Sequence, residues 1–294
     1  MPKVKRQSKK KSKLKTRRVK SRKRVSVLDE FESFESFEAK LRMCIYGDSA
    51  TGKTTFWASF PGKIGIFVTS KETKDELISV AIPEVMEKTH IYVLEETGQL
   101  HDIMSKLKKD RAFETIVIDN MTDLQFMILK EQLDLDEEPA QLSWGIADQE
   151  TWGIVTSKTK EAIRSFYSYN GNALVIAHER EFKPNSQFVE SYMGPALTPS
   201  AAGFLTRRSN YVVNTFTQPQ VEKVKRKRRG KVVKKDGVIQ YKEVETGEMD
   251  YCLRVKPCMD YLIKFRKPKH VRFKDSFIVD PSYEKVLKLI QQKD

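Results

Sequence analysis

The sequence predicts an α/β fold built on a mostly parallel sheet, and three features point to it. Short apolar runs recur along residues 41–216, and segments of helical periodicity separate them. One run, LRMCIY at 41–46, passes directly into Gly47, four further residues, and Gly52-Lys53-Thr54. Strands that alternate with helices long enough to cross a sheet are expected to pair in parallel.

Taken in order, LDEFESFESFEAK at 28–40 repeats Phe and Glu and reads as an amphipathic lead-in to the first strand. Further strands are expected at 64–68, 90–94, 114–119, 172–177 and 210–216, with helices at 99–109, 121–133 and 150–169. The stretch 134–147 reads as a loop, because Pro139, Gly145 and an acidic cluster oppose a continuous helix. Residues 183–200, rich in Pro, Ser, Asn and Gly, read as an ordered loop leaving the fifth strand.

The chain of 294 residues with 39% hydrophobic content is long enough for one large α/β domain with appendages. No run approaches the eighteen apolar residues of a membrane span, and the basic N-terminus lacks a secretory apolar segment, so a cytosol-like (cytoplasmic) compartment is expected. Three cysteines, Cys44, Cys252 and Cys258, are too few and too irregular for a zinc site or disulfide framework. The net charge of +14 resides in residues 1–24, which hold fourteen Lys or Arg and no acid. The remaining residues balance at 40 basic and 40 acidic. Residues 1–36 are therefore expected to be a disordered polybasic arm and lead-in, with 37–294 forming the folded domain. Such an arm suits nucleic acid, and solubility or addressing are the alternatives.

A second basic element lies at 222–235, EKVKRKRRGKVVKK, with nine Lys or Arg and one acid. Asp236-Gly237, flanked by Val232, Val233, Val238, Ile239 and Tyr241, predicts a hairpin, so a basic β-ribbon insertion is expected at about 217–250. Its nucleic-acid candidates are Lys223, Lys225, Arg226, Lys227, Arg228, Arg229 and Lys231; the alternative is a solvated edge kept soluble by lysines.

Gly47-x4-Gly52-Lys53-Thr54 is a complete phosphate-binding loop. Its glycines allow backbone N–H groups to converge on an anion. Gly47, Asp48, Ser49, Ala50, Thr51, Gly52, Lys53, Thr54 and Thr55 form the nucleotide-binding set. Lys53 is expected to reach the β- and γ-phosphates, and the Thr54 hydroxyl to bind Mg²⁺. The apolar strand Glu114-Thr-Ile-Val-Ile-Asp119 supplies a second metal group in Asp119, the competing role being a helix cap. Glu72, after the second strand, is the candidate base, or else a helix-start residue; Lys71 is a possible phosphate contact. His178 ends the fifth strand where a γ-phosphate sensor belongs, and Arg207 with Arg208 are candidates for a finger reaching a neighbouring subunit's nucleotide. His90, His101 and His270 have no convincing partners.

The order GDSATGKT, the Phe60-Pro61-Gly62-Lys63 step, IVIDNMTDL and LVIAHE resembles the phage nucleotide-binding P-loop ATPases, RecA-like proteins some of which assist single-strand annealing and recombination. The resemblance spans roughly 40–216 and extends to RFKDSFIVDPSYEKVLKLI near the C-terminus as a closing strand and helix. It implies a RecA-like P-loop NTPase core binding ATP and Mg²⁺ through Lys53, Thr54 and Asp119, with homo-oligomers that place ATP at a subunit boundary. Thr69-Ser-Lys71 stands where that family usually carries an earlier acidic residue. Two readings follow: an ATPase acting on DNA, single-stranded DNA favoured, in recombination or replication; or a nucleotide-binding interaction module with little or no hydrolysis. A small-molecule kinase lacks an acceptor site, and a GTPase lacks a guanine-reading segment.

Overall fold

The computed structural model describes residues 40–80, 83–135, 147–184, 190–225, 241–266 and 275–291, with strand pieces at 227–228, 231–232, 234–235 and 238–239. The basic arm and lead-in up to residue 39, most of the 134–147 loop and residues 185–189 lie outside the described residues, as do the Asp236-Gly237 turn and the side chains at 226–240.

The chain runs β1 (Arg42–Tyr46), α1 (Lys53–Ala58), β2 (Ile64–Val68), α2 (Lys71–Val80), α3 (Pro83–Lys88), β3 (Thr89–Val93), α4 (Thr97–Leu107), β4 (Thr115–Asp119), α5 (Met121–Leu133), α6 (Gln149–Phe166) and β5 (Asn172–Ala177). It continues with β6 (Glu179–Phe182), β7 (Tyr192–Pro195), α7 (Pro199–Arg208) and β8 (Tyr211–Lys225). Four short pieces follow, β9 (Lys227–Arg228), β10 (Lys231–Val232), β11 (Lys234–Lys235) and β12 (Val238–Ile239). The last elements are β13 (Tyr241–Arg254), β14 (Lys264–Phe265), β15 (Phe277–Val279) and α8 (Tyr283–Gln291).

Among the described residues one nine-stranded sheet has the order β15-β13-β8-β1-β5-β4-β2-β3, with β14 also on β8. The six strands from β8 to β3 are parallel, and β13, β14 and β15 are antiparallel additions. All five residues of β2 are buried, as are nearly all of β1, β4 and β5, which is why these strands read as continuous apolar runs. Alternate residues of β1 serve opposite faces. Met43 and Ile45 join Phe56, Trp57, Phe60, Leu77 and Val286, whereas Cys44 and Tyr46 join Leu124, Val155, Ile163 and Phe166. Insertion of β5 between the strand before the phosphate loop and the strand ending in Asp119 makes this a RecA-like P-loop core.

Helix ends follow local chemistry. Asn120 caps α5 by accepting from Asp123 N–H at 2.9 Å, and Asp148 caps α6 by accepting from Thr151 N–H at 2.7 Å.

Two local expectations change. Within 183–200, expected as a loop, Tyr192–Pro195 forms β7, which pairs antiparallel with β6, and α7 begins at Pro199. The basic ribbon is the outward extension of two sheet strands: β8 and β13 pair from Asn214 and Arg254 out to Lys225 and Tyr241, with a register shift between Glu245 and Met249. Between Lys225 and Tyr241 in the sequence, β9 pairs with β10 and β11 with β12, each antiparallel.

Candidate nucleotide site

The loop from Gly47 to Gly52 leaves the C-terminal end of β1 and folds back on itself. Ala50 and Gly52 both take positive φ, 58° and 84°, which turns the backbone into a concave nest; for Ala50 this is a strained conformation of the kind kept at ligand sites. Gly52 is the N-cap of α1 with no side-chain cap, so the first-turn N–H groups keep their hydrogen-bonding capacity for something else. Because α1 has only six residues, the anion site relies on loop N–H groups and Lys53 more than on a long helix dipole.

The loop is braced from β8. Thr51 Oγ1 lies 2.7 Å from Thr215 Oγ1 and donates to Asp48 O at 2.7 Å. A Cβ at Gly47 would come within 2.4 Å of the Thr215 carbonyl oxygen, so only glycine fits there. Lys53 Nζ folds over this loop, donating to Gly47 O at 3.0 Å and also to Asp48 O.

Asp119 stands at the end of β4, and Asn120, joined to it by a cis peptide, caps α5; the capping role considered for Asp119 belongs to its neighbour. Burial pushes the Asp119 carboxyl up to about 6, against the opposing pull of Lys53. Trp57 Nε1–H also favours the carboxylate, although it makes no hydrogen bond of standard geometry. Burial likewise lowers Lys53, while Asp119, Asp48 and Glu179 favour its charged form. A half-buried carboxylate facing a half-buried ammonium beside an uncapped nest suits a Mg²⁺-nucleotide: the phosphates match the lysine and N–H groups, and the metal matches Asp119 with Thr54.

His178 follows β5. Its backbone N–H donates to Thr122 Oγ1 at 3.1 Å, and its Nε2 lies 3.3 Å from Asn120 Nδ2. Asn120 Nδ2 also donates to Asp123 Oδ2 at 2.7 Å, so the ends of β4 and β5 share one polar cluster. Burial raises Asp123, with His178 and Asn120 opposing.

Glu179, next in the chain, was missed as a site residue. It accepts from Asn214 Nδ2 at 2.8 Å, and burial raises its carboxyl, with Asp48, Lys53 and Arg254 close enough to be felt. Lys53 is thus surrounded by three acidic neighbours, Asp119, Asp48 and Glu179. The signal lay in LVIAHE, whose last residue is this carboxylate.

Glu72 sits elsewhere. It is exposed in the first turn of α2, its charge favoured by its own backbone N–H and the Ser70 hydroxyl, which is the helix-start environment. The end of β2 was expected beside the phosphate loop, but β5 and β4 stand between β2 and β1, roughly 14 Å at ordinary strand spacing. Val68 pairs instead with Asp119, and the α2 carboxylate that acts on Asp119 is Glu76. Lys71 and Glu72 line an open depression with Thr69, Ser70, Glu95 and Lys130.

Arg207 and Arg208 are exposed at the end of α7, Arg208 lying over the Phe204 ring at 5.4 Å. Asn210 N–H donates to Arg42 O at 2.7 Å, which puts this helix end at the start of β1, about 15 Å along the strand from the phosphate loop of the same chain. Of the ribbon residues, Lys223 and Lys225 are exposed on β8; the side chains of Arg226, Lys227, Arg228, Arg229 and Lys231 lie outside the described residues. Cys44 is a core residue whose thiol burial raises far above its ordinary value. No cluster of three or more metal-ligating side chains occurs among the described residues, and no described helix is long and apolar enough to cross a membrane.

Fold and loop together define a P-loop nucleotide-binding protein. The family described as AAA domain matches residues 39–237, about two thirds of the sequence, and the chain belongs to that family. No curated protein matches it. Among solved structures, an ATPase from the type III secretion system of pathogenic bacteria is similar over 59% of this chain and 50% of that one, at 12% identity and a TM-score of 0.38. The chain spans about half the length of that ATPase. A KaiC-like protein from the hyperthermophilic archaeon Pyrococcus horikoshii OT3 is similar over 81% of this chain and 88% of that one, at 14% identity and a TM-score of 0.36.

Proposed function

We propose that the chain is a Mg²⁺-dependent ATPase whose nucleotide cycle alters its grip on single-stranded DNA, in recombination or replication of the phage type. The observation that carries this reading is the Thr51–Thr215 hydrogen bond, through which the phosphate loop touches a strand that runs directly into the basic ribbon. Loop N–H groups and Lys53 bind the phosphates, and Thr54 with Asp119 hold Mg²⁺, which when bound neutralises charge developing on the phosphates. Glu179 or Glu72 orients the attacking water, with the acidic surroundings of Lys53 favouring Glu179. His178 senses the terminal phosphate and passes its state to α5 through Asn120. Arg207 serves a neighbouring subunit's nucleotide, since its own site is out of reach. Lys223, Lys225 and the basic residues beyond them track the DNA backbone.

The exposure of Glu72 favours a second reading, a nucleotide-binding interaction module with little or no turnover. Measuring ATP hydrolysis with and without single-stranded DNA, with Lys53→Ala as background, separates the two. Lys53-dependent turnover stimulated by DNA supports the ATPase; Lys53-dependent binding without turnover supports the module.

A further inference from the structure

We propose that Tyr251 is the nucleobase platform of this site, an aromatic face on which the base of a bound nucleoside triphosphate stacks. This rests on the nucleotide reading above and extends it to a residue outside the segment that the AAA domain family matches.

Tyr251 lies on β13 and is 40% exposed. A Cβ built on Gly52 would fall 2.8 Å from Tyr251 Cδ1 and 3.0 Å from Cγ, so the ring rests against the backbone of the last loop glycine, immediately before Lys53. Its place in the sheet fixes which end of a nucleotide it meets. Tyr46, the last residue of β1, pairs with Asn214, and Tyr251 pairs with Thr217 three residues further on, so the ring stands beyond the C-terminal end of β1. It also stands on the β8–β13 side, whereas Asp119 ends β4, two strands away on the other side of β1. Phosphates held between Lys53 and Asp119 direct the opposite end of the ligand toward β13.

The ring is carried on braced backbone. Tyr251 O accepts from Asp280 N–H at 2.7 Å, and the segment after Asp280 docks on α1 through Tyr283 N–H to Ser59 Oγ at 2.8 Å and the Phe60–Tyr283 ring contact at 4.8 Å. An aromatic face stacks any base, so Tyr251 distinguishes ligands with a base from those without, and purines little from one another.

The test is calorimetric titration of the full chain with Mg²⁺ and either ATP or inorganic tripolyphosphate, which has the phosphates and no base. Tyr251→Leu keeps bulk and removes the π face, Tyr251→Ala removes both, and Tyr251→Phe keeps the platform. Expected is a loss of roughly tenfold in ATP affinity for the Leu and Ala variants, with tripolyphosphate affinity unchanged and the Phe variant like wild type. Equal loss for both ligands, or loss for neither, overturns the platform. Wild-type chain that binds neither ligand in a Lys53-dependent way overturns the underlying nucleotide reading as well.

Discussion

Thr215 touches Gly47 so closely that no side chain fits between them: the Thr215 carbonyl oxygen would lie 2.4 Å from a Cβ at Gly47. Gly47→Ala therefore forces either the loop or β8 to move. The expected outcome is loss of Lys53-dependent ATP binding by at least tenfold with the fold retained, checked by calorimetry alongside circular dichroism. Unchanged affinity would show that the loop relaxes freely and that β8 does not brace it.

The Thr51–Thr215 hydrogen bond is buried, and Thr215→Val removes one partner while keeping the shape. Thr51 keeps its bond to Asp48 O, so the stability cost is expected at about 1 kcal/mol. The more telling readout is DNA stimulation of turnover, which should fall more than basal turnover. Equal reduction of both rates would mean that Thr215 only holds the loop in shape.

The raised Asp119 carboxyl makes stability depend on pH. Its folded value of about 6 lies above the ordinary 3.8, so between those values the native state holds the proton more tightly than the unfolded chain. Stability of the ligand-free protein then falls as pH rises through that window, and above it the full penalty is present, on the order of 3 kcal/mol. Asp119→Asn is expected to raise the ligand-free Tm by several degrees at pH 7.5, to leave it unchanged near pH 4, and to remove Mg²⁺-dependent ATP affinity. A Tm that does not rise at pH 7.5 contradicts the burial penalty.

Glu179 and Glu72 are separable by paired substitution. Glu179→Gln keeps size and the Asn214 contact, and is expected to lower kcat by at least a hundredfold with ATP affinity changed by less than about fivefold. Glu72→Gln, at an exposed helix start, should leave kcat within about twofold. The reverse pattern would return the base to α2.

Replacing Lys223, Lys225, Arg226, Lys227, Arg228, Arg229 and Lys231 with Gln should weaken single-stranded DNA binding and flatten its salt dependence by about 0.7 in log–log slope for each lost phosphate contact. ATP binding should be unaffected. DNA affinity that survives these changes assigns the contact elsewhere.

Much of the core was legible because its signals are local. The loop spacing, the buried runs at β2, β4 and β5, and the periodicity of α4, α5 and α6 each sit in a short window of sequence. What was not legible depends on pairing. Nothing near Val68 announces that it lies beside Asp119, with β4 and β5 between its strand and β1. A basic ribbon was expected at about 217–250, where β8 pairs with β13, but its continuation into the sheet as far as Asn214 and Arg254 was not legible, and Pro219 gave no hint of a 15-residue strand. Glu179 and Tyr251 acquire their roles from Lys53 and Gly52, more than a hundred positions away.

The separation of Arg207 from its own phosphate loop carries a consequence for assembly. The two lie at opposite ends of β1, so one copy's arginine meets another copy's nucleotide only where the two ends of β1 come together across an interface. If Arg207 serves a neighbour, two assemblies meet that condition: an antiparallel twofold pair in which both nucleotides are roofed, or a head-to-tail repeat that closes as a ring or runs on as a filament with one end site left open.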